Sequence, residues 1–598
     1  MKCLLLLISL VCCSALAAQD SSRVRVRTTV RFDELKKNPK IKKAIKILSF
    51  LNYCDIRIDR PIEDAKAFEC YKGKTIRRLE VEVVYPYGVS LDSPYYYHPT
   101  KLQARANKFQ FSTRDQVIKN EVLFQEGDKV DPQLFADTER NLWEKNIYKD
   151  IRILVEEIGD DMVDVTIFVR DRWNIGFVTS AGYNYVQVGL QFNNMFGLSQ
   201  ILQVDGSFYF RKFDAYRVHL NYTYNNIRHS FINVGLDGAY DILNQGGTLA
   251  VTRNFYSSKA EWAGRILVSG HRNDLILPTE NATYANSWVS TITQDFWLAK
   301  SFKLGGKLQA KYPLSRFVVA ARAQRTDYIE RPYVTGPGNI INFIDQNNIL
   351  GAMGIAQWDY YIDHNVYSLD KAEYFPRGVS AALIGGFQMD EILQRRTYMA
   401  LALQYGVSFV NAGYYLTYIK GGGFVNPHTI DQGLISWENT FYSIPVKMGR
   451  WNWRSFLTNN IRLGFSRPDG RELIVNNATG LRGLSSLYLR GVRTYAFSYE
   501  ADFYYTKPIL GFSTSYFVFA DLSVYQPQPQ YRFFQSGVGL GFRLRNLGIG
   551  LGFLEVTLAY YPGLHVPDQR QFSLMGNTIS NRTPVKKDLF TPDIINVD

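Results

Sequence analysis

The sequence predicts a mainly β protein, a transmembrane antiparallel β-barrel behind one small α/β domain. Three observations carry this. Beyond residue 174 strand-like alternations recur, with turn clusters between them. The chain is rich in Tyr (40), Phe (38) and Gly (45), yet its mean hydropathy is slightly negative. No apolar run after the N-terminal leader approaches the ~20 residues a spanning helix needs. Some secreted β proteins share this composition, so the pattern of faces has to decide. Thr494–Tyr505 shows it most cleanly. Ala496, Ser498, Glu500 and Asp502 fall on one face, and Tyr495, Phe497, Tyr499, Ala501 and Phe503 on the other. In a soluble sandwich the acidic face would meet water and the aromatic face a core. In an outer-membrane barrel the aromatic face meets lipid and the acidic face a wet lumen. The rest of the chain favours the barrel.

Residues 1–18 read as a signal peptide. Lys2 is its basic start, Leu4–Leu10 its apolar centre, and Ala15-Leu16-Ala17 its small-x-small cleavage signature. A lipoprotein reading through Cys12 or Cys13 is the alternative, with Val11 where a small residue is expected. Export leaves the periplasm, the outer membrane or the exterior as destinations. Cys54 and Cys70 remain after cleavage and are a disulfide candidate in an oxidising compartment, worth roughly 3 kcal/mol; two buried thiols are the alternative reading. Export also argues against nucleic acid as the reason for the formal charge of +13. Residues 19–72 form a basic segment in which Lys36 to Lys46 surround a helical run. It suits an anionic membrane surface or an acidic partner, or else a solvated helix that packs Ile41, Ile45, Leu48 and Leu51 on the next domain.

Residues 73–173 read as β-α-α-β-β. Thr75–Tyr85 is a strand, and Gly88–Arg105 a polar insertion. Thr113–Phe124 is a helix capped by Thr113, and Asp131–Lys145 a second helix. Ile151–Glu157 and Val163–Arg170 close the unit around the Gly159-Asp160-Asp161 turn. Residues 174–580 carry the barrel alternations, from Asn174–Tyr183 through Leu304–Tyr312 and Trp453–Phe465 to Arg570–Ile579. Residues 581–598 are a C-terminal tail.

No catalytic chemistry is legible. The seven histidines show no metal-ligand spacing, and no serine sits in a nucleophile elbow or triad grouping. Gly421-Gly422-Gly423 lacks the Lys-Ser/Thr of a phosphate loop. The glycines at 537, 539 and 541 alternate by two, which bares one face of a strand. No enzyme, cofactor or metal is expected.

Two groups of motifs resemble the BamA/TamA superfamily of outer-membrane proteins. Leu123-Phe124-Gln125-Glu126-Gly127-Asp128 and Glu139-Arg140-Asn141-Leu142-Trp143, in the order above, resemble a POTRA domain. Gly480-Leu481-Arg482-Gly483 resembles the tip motif of the family's sixth extracellular loop, with Leu484 in place of the usual aromatic. Glu500 and Asp521 match the acidic residues of the next two strands, and Gln571-Phe572-Ser573-Leu574-Met575-Gly576 resembles the closing strand. The tail beyond it departs from the family. The resemblance implies sixteen strands, a loop folded into the lumen with Arg482 on Glu500 and Asp521, and a seam between Asn174–Tyr183 and Arg570–Ile579. The physics of that pairing stands without the family. Two carboxylates can satisfy one guanidinium fork, and a confined lumen strengthens the pair.

The function so implied is insertion of β-barrel proteins into the outer membrane. The POTRA domain would receive unfolded clients in the periplasm, and the seam would act as a lateral gate. Partners implied are those clients, membrane lipid, and periplasmic chaperones or accessory lipoproteins. Two alternatives stand beside it: a two-partner polypeptide exporter, which usually carries two POTRA domains and a plug helix, and a passive porin or structural barrel.

Overall fold

A computed structural model gives the architecture. It describes residues 65–595 except 90, 92–96, 182–184, 211–215, 242–243, 279–283, 332–342, 370–371, 393, 468–471, 478–479, 510–511, 529–530, 547–550, 565, 567–569 and 578–588. The expected signal peptide, the basic segment as far as residue 64, Cys54 and Tyr183 lie outside the described residues.

The α/β module runs β1 (Thr75–Val84), α1 (Lys101–Lys108), α2 (Asp115–Lys119), α3 (Pro132–Glu144), β2 (Tyr148–Ile158) and β3 (Met162–Asp171). β3 is the middle strand, parallel to β1 and antiparallel to β2. Its inward residues Val163, Val165, Ile167 and Val169 meet Ile118, Phe135 and Leu142 from the helices in one buried core. Two elements differ from expectation. The polar insertion ends in α1, which Thr100 starts with a full capping box. The helix expected over Thr113–Phe124 is only the short α2, and Thr113 does not cap it. Its backbone N–H and hydroxyl donate instead to Asp171, at 2.8 and 2.6 Å.

The remaining strands close into an antiparallel barrel. It has twenty strands among the described residues, not the sixteen that the resemblance implies. Gln346–Gln357 continues past Trp358 as Asp359–His364, and both segments pair with Ala372–Asp390. Likewise Ile430–Ser443 and Val446–Met448 both pair with Trp451–Phe465. The alternating runs in the sequence track the strands more closely than the family's number does. The exception is Leu304–Tyr312, where Gly306 at φ +56° breaks the extended chain and a helix, Gly306–Lys311, forms at the rim.

Side chains alternate across the wall. Phe177, Leu190, Leu236, Ile266, Met353, Leu383, Leu401, Val518 and Leu540 are exposed on the outside, the apolar belt that lipid requires of a closed barrel. Asp205, Asp295, Arg322, Arg454, Glu500 and Arg543 are buried within.

The module leads directly into the first barrel strand, Ile175–Ala181, so it sits at the rim where that strand begins. It grips three successive turns of that rim. Arg114 N donates to Gly197 O at 3.1 Å, and Asn226 Nδ2 to Asn120 O at 2.8 Å. The carboxylate of Asp137 accepts from Ser258 N and Oγ, each at 2.8 Å, and from Arg140 at 2.9 Å. Arg140 also lies 4.5 Å from the centre of the Tyr360 ring. Asp137, Arg140, Asn226 and Ser258 are buried with these partners, as polar groups between a rim of turns and a folded module require.

Candidate functional site

The segment between strands Trp451–Phe465 and Arg493–Tyr505 leaves the barrel at the rim opposite the module. It returns into the lumen as a hairpin, Leu473–Asn476 paired with Ser485–Gly491. Gly480-Leu481-Arg482-Gly483 is its tip. The turn is closed by the N–H groups of Gly480 and Leu481 on Asn476 O, both at 3.0 Å, and by Gly483 N on Asn477 Oδ1 at 2.8 Å. Two glycines are required. Gly483 has φ +77°, and a Cβ there would strike the Met575 and Tyr561 side chains at 2.4 and 2.8 Å. A Cβ on Gly480 would lie 2.2 Å from that of Ala496.

Arg482 lies with both acids singled out from the sequence. Its guanidinium bonds Glu500 and donates to Ser498 Oγ at 3.1 Å. Its backbone N–H donates to Asp521 Oδ2 at 2.9 Å, and its side chain stands 3.6 Å from Asp521 Oδ1. The loop is tied by main chain as well as by charge, because Tyr561 Oη donates to the Arg482 carbonyl at 2.6 Å. Leu481 and Leu484 are fully buried against Phe517, Phe519 and Tyr561. Leu484 therefore fills the cluster as an aliphatic side chain.

A second arginine completes the site. Arg543, 1% exposed at its side chain, donates to Glu555 at 2.7 Å, to Glu500 at 2.8 and 3.2 Å, and to Asp502 at 2.9 Å. Arg482 stacks over Phe519 at 4.1 Å and Arg543 over Phe517 at 3.8 Å. Those rings have room because Gly539 and Gly541 are registered beside them; a Cβ on either would meet ring carbon at 2.4 Å. The bared strand face read from residues 537, 539 and 541 is the seat of two aromatic rings. Arg543, Asp502, Glu555, Ser498 and Tyr561 have no role legible in the sequence alone. Strand parity was the available signal. Arg543 follows 537, 539 and 541 on one face, and Glu555 and Tyr561 share a face on the next strand.

The barrel closes between Ile175–Ala181 and Phe572–Asn577. Among the described residues these two strands share one registered pair, Gly576 with Ala181, and Leu551 of the penultimate strand meets Phe177. Neighbouring strands elsewhere pair over far longer runs, as from Trp262–Lys300 to Pro278–Tyr284. Of the other residues expected at the seam, Asn174 is buried and donates to Phe111 O at 2.8 Å, so it anchors the module. Arg570 precedes the closing strand. The loop tip reaches this strand: Ser573 Oγ donates to Gly483 O at 3.4 Å. Cys70 is exposed, with its Sγ 3.8 Å from Ala67 O, and Cys54, its expected disulfide partner, lies outside the described residues.

No family model matches the chain, and no curated protein does. Solved structures do. The chain is similar to BamA and to CdiB. BamA from Haemophilus ducreyi lacking POTRA domains 1–3 aligns at 14% identity over 93% of this chain and 95% of that one, with a TM-score of 0.33. CdiB from Escherichia coli aligns at 11% identity over 84% and 76%, with a TM-score of 0.42. CdiB from Acinetobacter baumannii aligns at 10% identity over 91% and 97%, with a TM-score of 0.39. Similarity at this level assigns no residue and no activity.

Proposed function

We propose that the protein is an outer-membrane insertase of the BamA/TamA type, with its module acting as a POTRA domain in the periplasm. The observation that carries this reading is the seam. Lipid cannot satisfy backbone N–H and C=O groups, so strands that share a single registered pair among the described residues mark the place where the barrel parts at least cost. An opened seam offers those groups to a client strand, which satisfies them by adding to the edge. The Arg482 loop steadies the wall next to that gate, since it is bonded to Glu500, Asp521, Tyr561 and Ser573. The module holds a three-stranded sheet at the client-facing rim, with β2 at one edge of that sheet among the described residues.

A two-partner polypeptide exporter is the second reading. It is favoured by the stretch of chain at residues 589–595, whose Leu589, Phe590 and Ile594 pack against the inner wall.

Depletion in the native host separates the two, with folded and unfolded outer-membrane barrels quantified by heat-modifiable gel mobility. An insertase predicts that many unrelated barrels fall together while precursors collect in the periplasm. Loss of one secreted partner with normal barrels supports the exporter. No change in either sinks both.

A further inference from the structure

The inner wall opposite the Arg482 loop is apolar where a barrel lumen is ordinarily polar. Ala263, Ala299, Ala320, Ala352, Ile384 and Ala400 are registered one against the next across six adjacent strands. All are buried. Because most of them end at Cβ, they cut a trough along the hydrogen-bonding direction of the sheet. Leu589, Phe590 and Ile594 of the C-terminal tail fill it and are themselves buried.

The tail is held chiefly by its main chain. Trp297 Nε1 donates to Phe590 O at 2.9 Å, Arg322 Nη1 to Pro592 O at 3.0 Å, and Lys420 Nζ to Asp593 O at 3.2 Å. Ile595 N donates to Tyr398 Oη at 2.9 Å. One side-chain charge is also read, since Arg322 Nη1 lies 3.1 Å from Asp593 Oδ1. Arg322 is fixed for this task by Asp295, which accepts from its Nε and Nη2 at 2.8 and 3.1 Å. Contacts to the main chain give affinity that does not depend on side-chain identity, while the trough and the arginine set the side-chain preference.

We propose that this wall is a peptide-binding site, filled in cis by Leu589–Ile595. In trans it takes a peptide with an aromatic anchor followed three residues later by a carboxylate. The inference stands on the trough and its contacts and does not depend on the insertase reading.

The test uses the full-length chain folded in detergent and a fluorescent, C-terminally amidated peptide with the sequence of residues 589–598. The unaltered chain, with its site occupied, binds the peptide weakly. A tail-release variant, Phe590→Asp with Ile594→Asp, binds it saturably and at least tenfold more tightly. Adding Arg322→Gln to that variant lowers the affinity tenfold or more. A release variant that keeps folded gel mobility but binds no better than the unaltered chain overturns the proposal.

Should the release variant fail to fold, the unaltered chain still decides, through carboxypeptidase trimming followed by intact mass. Trimming should halt within the tail, and excess amidated peptide should let it pass. A tail trimmed equally fast without peptide, or still protected at saturating peptide, overturns the proposal.

Discussion

Arg543 and Glu500 are joined by two hydrogen bonds, at 2.8 and 3.2 Å, inside the barrel wall, and the same Glu500 carboxylate also receives Arg482 from the loop tip. The loop is thus anchored on a carboxylate already committed to the wall. Arg543→Met removes the common cation and leaves Glu500, Asp502 and Glu555 crowded together. A loss of ~3–5 kcal/mol is expected, as for breaking a buried pair from one side. Urea titration followed by gel mobility measures it, and adding Glu555→Gln should recover part of the loss.

Arg482→Ala should act differently. The wall keeps its Arg543 network, so the barrel stays folded while the loop tip detaches. Cleavage of the 466–492 segment by added protease should rise severalfold, with little change in the unfolding midpoint. Equal losses of midpoint in both variants would show that the loop belongs to the barrel's stability and not to its gate.

Gly541→Leu places a Cβ 2.3 Å from Val556 O and 2.4 Å from the Phe517 ring. Overpacking of this kind costs ~1–3 kcal/mol. Phe517→Ala in the same chain should restore only part of it, because the backbone oxygen remains in the way. Full restoration would mean that the ring alone sets the need for glycine.

Asp137→Ala strips Ser258 and Arg140 of their buried acceptor. The module should loosen from the rim while the barrel remains closed, with hydrogen exchange in α3 and in the 254–261 turn rising together. Exchange confined to α3 would contradict a docked module.

The junction between module and barrel should respond to pH through Asp171. Burial pushes the Asp171 carboxyl up to about 6, against the hydrogen bonds from Thr113 that favour its charged form. The ordinary carboxyl value is about 3.9. A folded value above the unfolded one favours the protonated group in the folded state. Its contribution is full below about pH 4 and is lost as pH rises through about 6. Protection of the Thr113 amide should therefore be about tenfold greater at pH 5 than at pH 7.5, and Asp171→Asn should flatten the dependence. A rise in protection toward alkaline pH would reverse the assignment.

Much of this was legible in the residues. Period-two alternation gave the strands because each barrel strand has one lipid face and one lumen face, and Thr494–Tyr505 carries both in plain sight. The Arg482, Glu500 and Asp521 grouping was legible because glycines flank the arginine and both acids share the parity of inward positions. Twenty strands were not expected, since the resemblance supplied a number that the alternations did not. Arg543 was passed over because an arginine after a glycine run looks like a strand end until its register beside Glu555 is known. The trough was hidden for a similar reason. Alanines spaced 20 or more residues apart become one feature only when hydrogen-bond register brings them side by side, and nothing local in Leu589–Ile595 marks it as lumen-bound.

The seam carries the functional account, and it can be locked. A Cβ on Gly576 would lie 3.8 Å from that of Ala181, the mean separation across a disulfide. Ala181→Cys with Gly576→Cys, in a chain whose Cys54 and Cys70 are serine, should oxidise readily and leave folded gel mobility intact. If the barrel works by opening there, the oxidised protein stops supporting assembly of other outer-membrane barrels, and reductant restores it. Oxidised protein that supports assembly at the unlocked level would contradict the lateral gate.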